Sequence, residues 1–124
     1  MEIEILKSEE TIIAELISDE IIIRDVHDAL DLMANVYEHG ARKIIVKEKN
    51  ITPDFFDLKT GLAGEILQKF INYSVQLAII GDFSKFKSKN FQDLIYESNK
   101  AGRIMFLQKR EMAIESFSLG QNAI

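Results

Sequence analysis

The stretch Gly61-Leu62-Ala63-Gly64-Glu65-Ile66-Leu67-Gln68-Lys69-Phe70-Ile71-Asn72-Tyr73-Ser74-Val75-Gln76-Leu77-Ala78-Ile79-Ile80 contains a change of period that decides the fold. Through residue 73, Leu62, Ala63, Ile66, Leu67 and Phe70 recur at helical spacing and line one face. Residues 75–80 are instead a near-continuous apolar run, the pattern of a strand buried on both faces. A helix leading straight into such a strand is one step of an alternating α/β architecture.

Upstream, residues 43–47 carry Ile44-Ile45-Val46 and read as a second strand of the same kind. Asp25 can cap a helix before it, with Asp28 adding negative charge in the first turn. Val26, Ala29, Leu30, Met33 and Tyr37 form that helix's predicted apolar stripe, and Gly40 ends it. Residues 2–6 alternate and residues 11–17 are β-branched and apolar, so the start reads as an antiparallel hairpin around Lys7-Ser8-Glu9-Glu10. That turn has neither glycine nor asparagine, so its register is weakly specified. Residues 21–23 form a short extended piece.

Downstream, Ser88 caps a helix whose stripe is Phe91, Leu94 and Ile95, and Gly102 closes it. Residues 103–107 are the last strand and residues 111–117 the last helix. The predicted fold is a single α/β domain over residues 1–117, in the order β-β-α-β-α-β-α-β-α, with a loose tail at 118–124. Its sheet is mixed and mostly parallel, the hairpin supplying the antiparallel part. Sheets of this kind place their sites at the carboxyl ends of the strands. Two loops lie there, 48–60 and 81–87. Thr52-Pro53 opens a short turn in the first of them, and Thr60-Gly61 opens the helix that follows.

Composition narrows the chemistry. The chain has 124 residues, 47% hydrophobic and 28% charged, which suits one core and is too short for two. It has no cysteine, so disulfides, thiolate metal sites and cysteine nucleophiles are excluded together. Met1-Glu2-Ile3-Glu4 lacks the basic start and apolar run of a secretion signal, and no apolar run is long enough to cross a membrane, so a cytoplasmic protein is expected. The net charge of −5 argues against nucleic acid. Residues 1–40 hold two basic side chains against eleven acidic ones, whereas residues 82–110 hold seven basic against three acidic. That division could orient a partner or simply be two solvated faces.

Catalytic patterns are missing. No Gly-x-Ser-x-Gly elbow and no phosphate-binding glycine pattern occurs. His27 and His39 have no ligand-like spacing and read as helix-surface residues, so neither a metal nor a cofactor is expected. Asp54 and Asp57 in the first loop, with Asp82, Ser84 and Lys85 in the second, could serve a small molecule or phosphate. Each aspartate could equally satisfy N–H groups at a turn or helix start. Phe83-Ser84-Lys85-Phe86-Lys87 is the candidate for an exposed stacking patch.

Thr52-Pro53-Asp54-Phe55-Phe56-Asp57-Leu58, residues 61–70, Ala78-Ile79-Ile80-Gly81-Asp82-Phe83-Ser84 and Ile95-Tyr96-Glu97-Ser98-Asn99 resemble the bacterial domain-of-unknown-function family 4180, over nearly the whole chain to Phe117. The element order and Asp57-Leu58-Lys59-Thr60-Gly61-Leu62 also resemble the STAS domain of anti-sigma-factor antagonists. That family carries Asp-Ser-Ser-Gly-Leu there, with the phosphoacceptor serine just before the glycine. Thr60 falls at the acceptor position, Gly61 at the glycine and Asp57 at the aspartate. This chain has one extra residue between aspartate and glycine, and Lys59-Thr60 replaces the serine pair. The second resemblance implies a non-enzymatic regulatory domain that binds a protein, under control at Thr60; a homodimer of this chain is a separate expectation.

Overall fold

In a computed structural model, which describes residues 2–120, the run at 75–80 is a central strand. Five strands form one sheet: β1 (Glu2–Ser8), β2 (Thr11–Ile17), β3 (Lys43–Lys47), β4 (Gln76–Ile80) and β5 (Ile104–Leu107). They lie in the order β1-β2-β3-β4-β5. Only the first pair is antiparallel, and β2 through β5 run parallel. The helices are α1 (Val26–Glu38), α2 (Leu62–Asn72), α3 (Lys89–Ala101) and α4 (Arg110–Gly120). The predicted class, element order and mixed sheet are therefore present.

The strand order explains the layers. Each crossover advances one strand in the same direction, and a constant crossover hand then puts every connecting helix on the same face. Accordingly Ala29 and Leu32 of α1, Ile66 and Phe70 of α2 and Phe91 of α3 share one core with Ala14, Ile44, Leu77 and Phe106. Alternation along the strands sends Ile13, Ile45, Ala78 and Met105 to the other face, where they meet Ala113 and Phe117 of α4.

Polar contacts fix α4 along its length. Arg110 donates to both carboxylate oxygens of Glu15, at 2.9 and 2.7 Å. Lys43 Nζ donates to the Phe117 carbonyl at 3.0 Å, and the Ser118 and Ser8 hydroxyls are 2.6 Å apart. This anchoring carries the helix past Phe117 to Gly120, so residues 118–120 are helical where a loose tail was predicted. The rest of that tail, 121–124, lies outside the described residues.

The hairpin turns on Glu9-Glu10, with Ser8 opposite Thr11 and Glu9 in the left-handed region at φ 59°. On α1 the buried stripe is Ala29, Leu32, Met33 and Val36, one step round the helix from the predicted one. Tyr37, expected inside, is 60% exposed. The extended piece at 21–23 makes one parallel bridge, between Ile23 and Ile51. No helix among the described residues is long and apolar enough to cross a membrane.

Asp25 caps α1 as predicted, its side chain accepting from the Asp28 N–H at 2.9 Å. Asp28 in turn accepts from the backbone N–H and Nε of Arg24, both at 2.9 Å. The Arg24 side-chain bond holds the Asp28 carboxyl below its ordinary value. A depressed carboxyl stabilises the fold above its unfolded value, roughly pH 3.9, and loses that contribution as pH falls through the lower folded value. Urea unfolding of wild type and Asp28→Asn should therefore differ near neutrality and converge in acid. A difference unchanged by pH would rule out this linkage.

Candidate functional site

At the carboxyl ends of β3 and β4 the backbone makes short 3-10 turns, Glu48–Asn50, Pro53–Phe56, Leu58–Thr60 and Phe83–Lys85. Pro53 opens the second turn with its fixed φ, although Thr52 contributes no side-chain cap. Asn50 is fully buried and acts as a clamp. Its amide donates to the Ser18 and Glu20 carbonyls at 2.9 and 3.0 Å, and its side-chain oxygen accepts from the Lys47 N–H at 3.0 Å.

Beneath the turns lies a floor of phenylalanine rings. Phe55 and Phe56 are buried, and Phe56 stacks on Phe86 with ring centroids 5.0 Å apart and planes 10° from parallel. Phe83 is buried too, and meets Phe106 edge-on at 5.2 Å. The candidate stacking patch is thus absorbed into the core at Phe83 and on one face of Phe86. The lysines beside it stay outside.

Asp57, Asp82 and Ser84 have local duties. Asp57 caps the turn 58–60, accepting from the Lys59 N–H at 3.1 Å. Asp82 caps the turn 83–85 and accepts from the Ser84 hydroxyl at 2.7 Å and the Ser84 N–H at 3.1 Å. Those bonds, the hydroxyl one foremost, hold the Asp82 carboxyl below its ordinary value. Lys85 reaches across to Glu48 at 2.6 Å, a partner the sequence did not suggest. Glu48 also leaves no room beside Gly81, where an added Cβ would lie 2.7 Å from its Oε1 and 2.9 Å from its Cβ. Asp54 is exposed, and its backbone carbonyl faces Thr60.

Thr60 is exposed, yet its hydroxyl is committed. The oxygen lies 2.8 Å from the Asp54 carbonyl and 2.9 Å from the Asp57 carbonyl, which share its one proton. It also accepts from the Leu62 N–H at 3.2 Å, satisfying a donor at the start of α2. Gly61 takes the left-handed conformation, φ 77°, that turns the chain into this helix. Thr60, Gly61, Asp57 and Lys59 are therefore one local unit. Asp82, Ser84 and Lys85 form another, joined to the first strand end through Glu48.

Among the described residues, the group of potential metal ligands within 4.8 Å of one another is His27, Asp28 and Asp31 on α1, and not Asp54, Asp57 and Asp82. His27 Nδ1 is 3.3 Å from Asp31 Oδ2, and Asp28 already serves Arg24. His39 is exposed and makes its ring contact with the Asn35 carbonyl at 2.9 Å. These positions are separated by one and four along a helix, a spacing visible in the sequence once α1 is assigned.

Fold and site together define a single α/β domain with a mixed five-stranded sheet, whose strand-end loops are stapled into a polar surface over an aromatic floor. The sequence model of the family described as "Domain of unknown function (DUF4180)" matches residues 8–117, and the chain belongs to that family. No curated protein and no solved structure matches it.

Proposed function

We propose that the domain is a cytoplasmic, non-enzymatic regulatory module of STAS-like architecture, which binds another protein through the loop surface around Thr60. The observation that carries this reading is the state of Thr60: exposed, at the opening of α2, with its hydroxyl proton shared by two loop carbonyls. The Asp57 and Asp82 carboxylates are spent on their own turns and Lys85 on Glu48, which favours recognition over turnover. The parallel run of β2 to β5 and the helix from Leu62 agree with what the resemblance requires.

A phosphate on Oγ1 would do two things at once. It would add about −1.5 to −2 charges at pH 7 beside Asp57, partly offset by Lys59. It would also remove the O–H donor, so the carbonyls of Asp54 and Asp57 would lose their shared partner. Loss of the staple lowers stability while the sheet beneath stays intact; it is the added charge, unpaired against a partner surface fitted to the neutral hydroxyl, that releases the partner.

The test separates charge from stapling. Thr60→Ala removes the hydroxyl alone and should cost roughly 0.5–2 kcal/mol of stability. Thr60→Glu removes it and adds charge. The expected result is that both variants fold by circular dichroism, that Thr60→Ala still captures the proteins wild type captures, and that Thr60→Glu does not. Unchanged capture by Thr60→Glu would refute control at this residue.

A further inference from the structure

A concavity lies at the opposite end of the sheet, where the chain enters β3 and β4. It is a groove of about 500 Å³ between the carboxyl-terminal half of α1 and the segments that lead into β3 and β4. Leu30, Met33 and Val75 give it an apolar lining, and Tyr37 and Tyr73 stand at it with 60% and 59% of their surface exposed. The phase of α1 produces this arrangement. Because Leu32 and Val36 are buried against the core, exposed Tyr37 and half-buried Leu30 are left to line this groove.

Arg42, just before β3, lines the same groove. Its guanidinium carbon sits 5.2 Å from the centre of the Tyr37 ring. Among the described residues it makes no ion pair, in a chain with a net charge of −5. A guanidinium stacked on a ring is held in orientation with its N–H fork uncommitted, and that fork matches a carboxylate.

We propose that this groove binds a small organic anion with a flat apolar body, an aromatic carboxylate in chemical class. The ring lies over Leu30, Met33 and Val75 between the two tyrosines, and the carboxylate takes the Arg42 fork. The volume falls in the range of small-ligand pockets, about 300–1,000 Å³. The seven residues that line it are far fewer than the roughly 20–30 per side of a stable protein interface. One unpaired cation matches a monoanion. The inference draws on none of the loop residues around Thr60.

The probe is 1-naphthoate, with 1-naphthalenemethanol as its uncharged counterpart, each titrated into the isotopically labelled protein and followed by amide NMR shifts. The expected result is saturable movement of the Met33, Tyr37, Arg42 and Val75 amides with naphthoate, and binding of the alcohol about tenfold weaker or more. Arg42→Gln should weaken naphthoate by a similar factor and leave the alcohol unchanged. Ala34 is exposed on the groove wall, so Ala34→Phe should fill the space and abolish both without touching the core. No saturable shift, equal affinity for acid and alcohol, or unchanged binding in both variants would overturn the proposal. So would groove amides that move on dilution of the protein alone, which would assign the surface to a second copy of the chain.

Discussion

Arg110→Ala is expected to destabilise the domain by about 3 kcal/mol, the lower end of the range for removing one partner of a buried ion pair. The Glu15 side chain is only 4% exposed, and Arg110 supplies two direct hydrogen bonds to its carboxylate. Without Arg110 a carboxylate only 4% exposed loses both of its charged donors. The lower end applies because the Arg110 side chain is itself 38% exposed, so part of the charge is solvated. The double variant Glu15→Leu with Arg110→Met should recover most of the loss, since replacing both partners by apolar groups removes the burial penalty as well. Denaturant unfolding of the three variants measures this. A single-variant loss below about 1 kcal/mol, or a double variant as unstable as the single, would mean that the pair does not hold α4 to the sheet.

The same pair marks how much of the fold the sequence exposes. The switch from helical spacing to a continuous apolar run at residues 73–75 is local, and so are the caps at Asp25 and Ser88, and all are read correctly. Glu15 interrupts the apolar run of residues 11–17, which signals a buried partner, but Arg110 lies 95 residues away and nothing local names it. Tyr37 fails for a different reason. A stripe through Ala29, Leu30 and Met33 and one through Ala29, Leu32 and Met33 fit the periodicity almost equally, and packing against the sheet chose between them. At the loops, Asp57 with Lys59 and Asp82 with Ser84 are turns within a few residues, so their duties were legible as helix-start caps. The bridge from Lys85 to Glu48 was not, because it exists only once β3 and β4 are side by side.

Phe91→Ala carries the largest expected loss, about 3–5 kcal/mol, the usual range for truncating a buried aromatic ring. Phe91 has no exposed surface and packs edge-on against three other rings: Phe86 at 5.3 Å, Phe56 at 5.8 Å and Phe106 at 5.9 Å. Those rings belong to the turn 53–56, the loop 83–86 and β5, so one side chain of α3 supports both halves of the strand-end surface. Its removal leaves a cavity that neither turn can close without moving the other, since Phe56 and Phe86 stack on each other. The effect should therefore reach beyond global stability. Amide exchange at Phe56 and Phe86 should rise in Phe91→Ala by more than the global change requires, while the amides of β2 and β3 should follow the global change alone. Phe91→Leu keeps most of the volume and should lie between the alanine variant and wild type on both measures. Uniform acceleration across the sheet and the turns would show that Phe91 stabilises the core without specifically holding the loops. A selective rise at the turns would tie the surface that carries Thr60 to a single ring beneath it, making loop order sensitive to a position with no access to any partner.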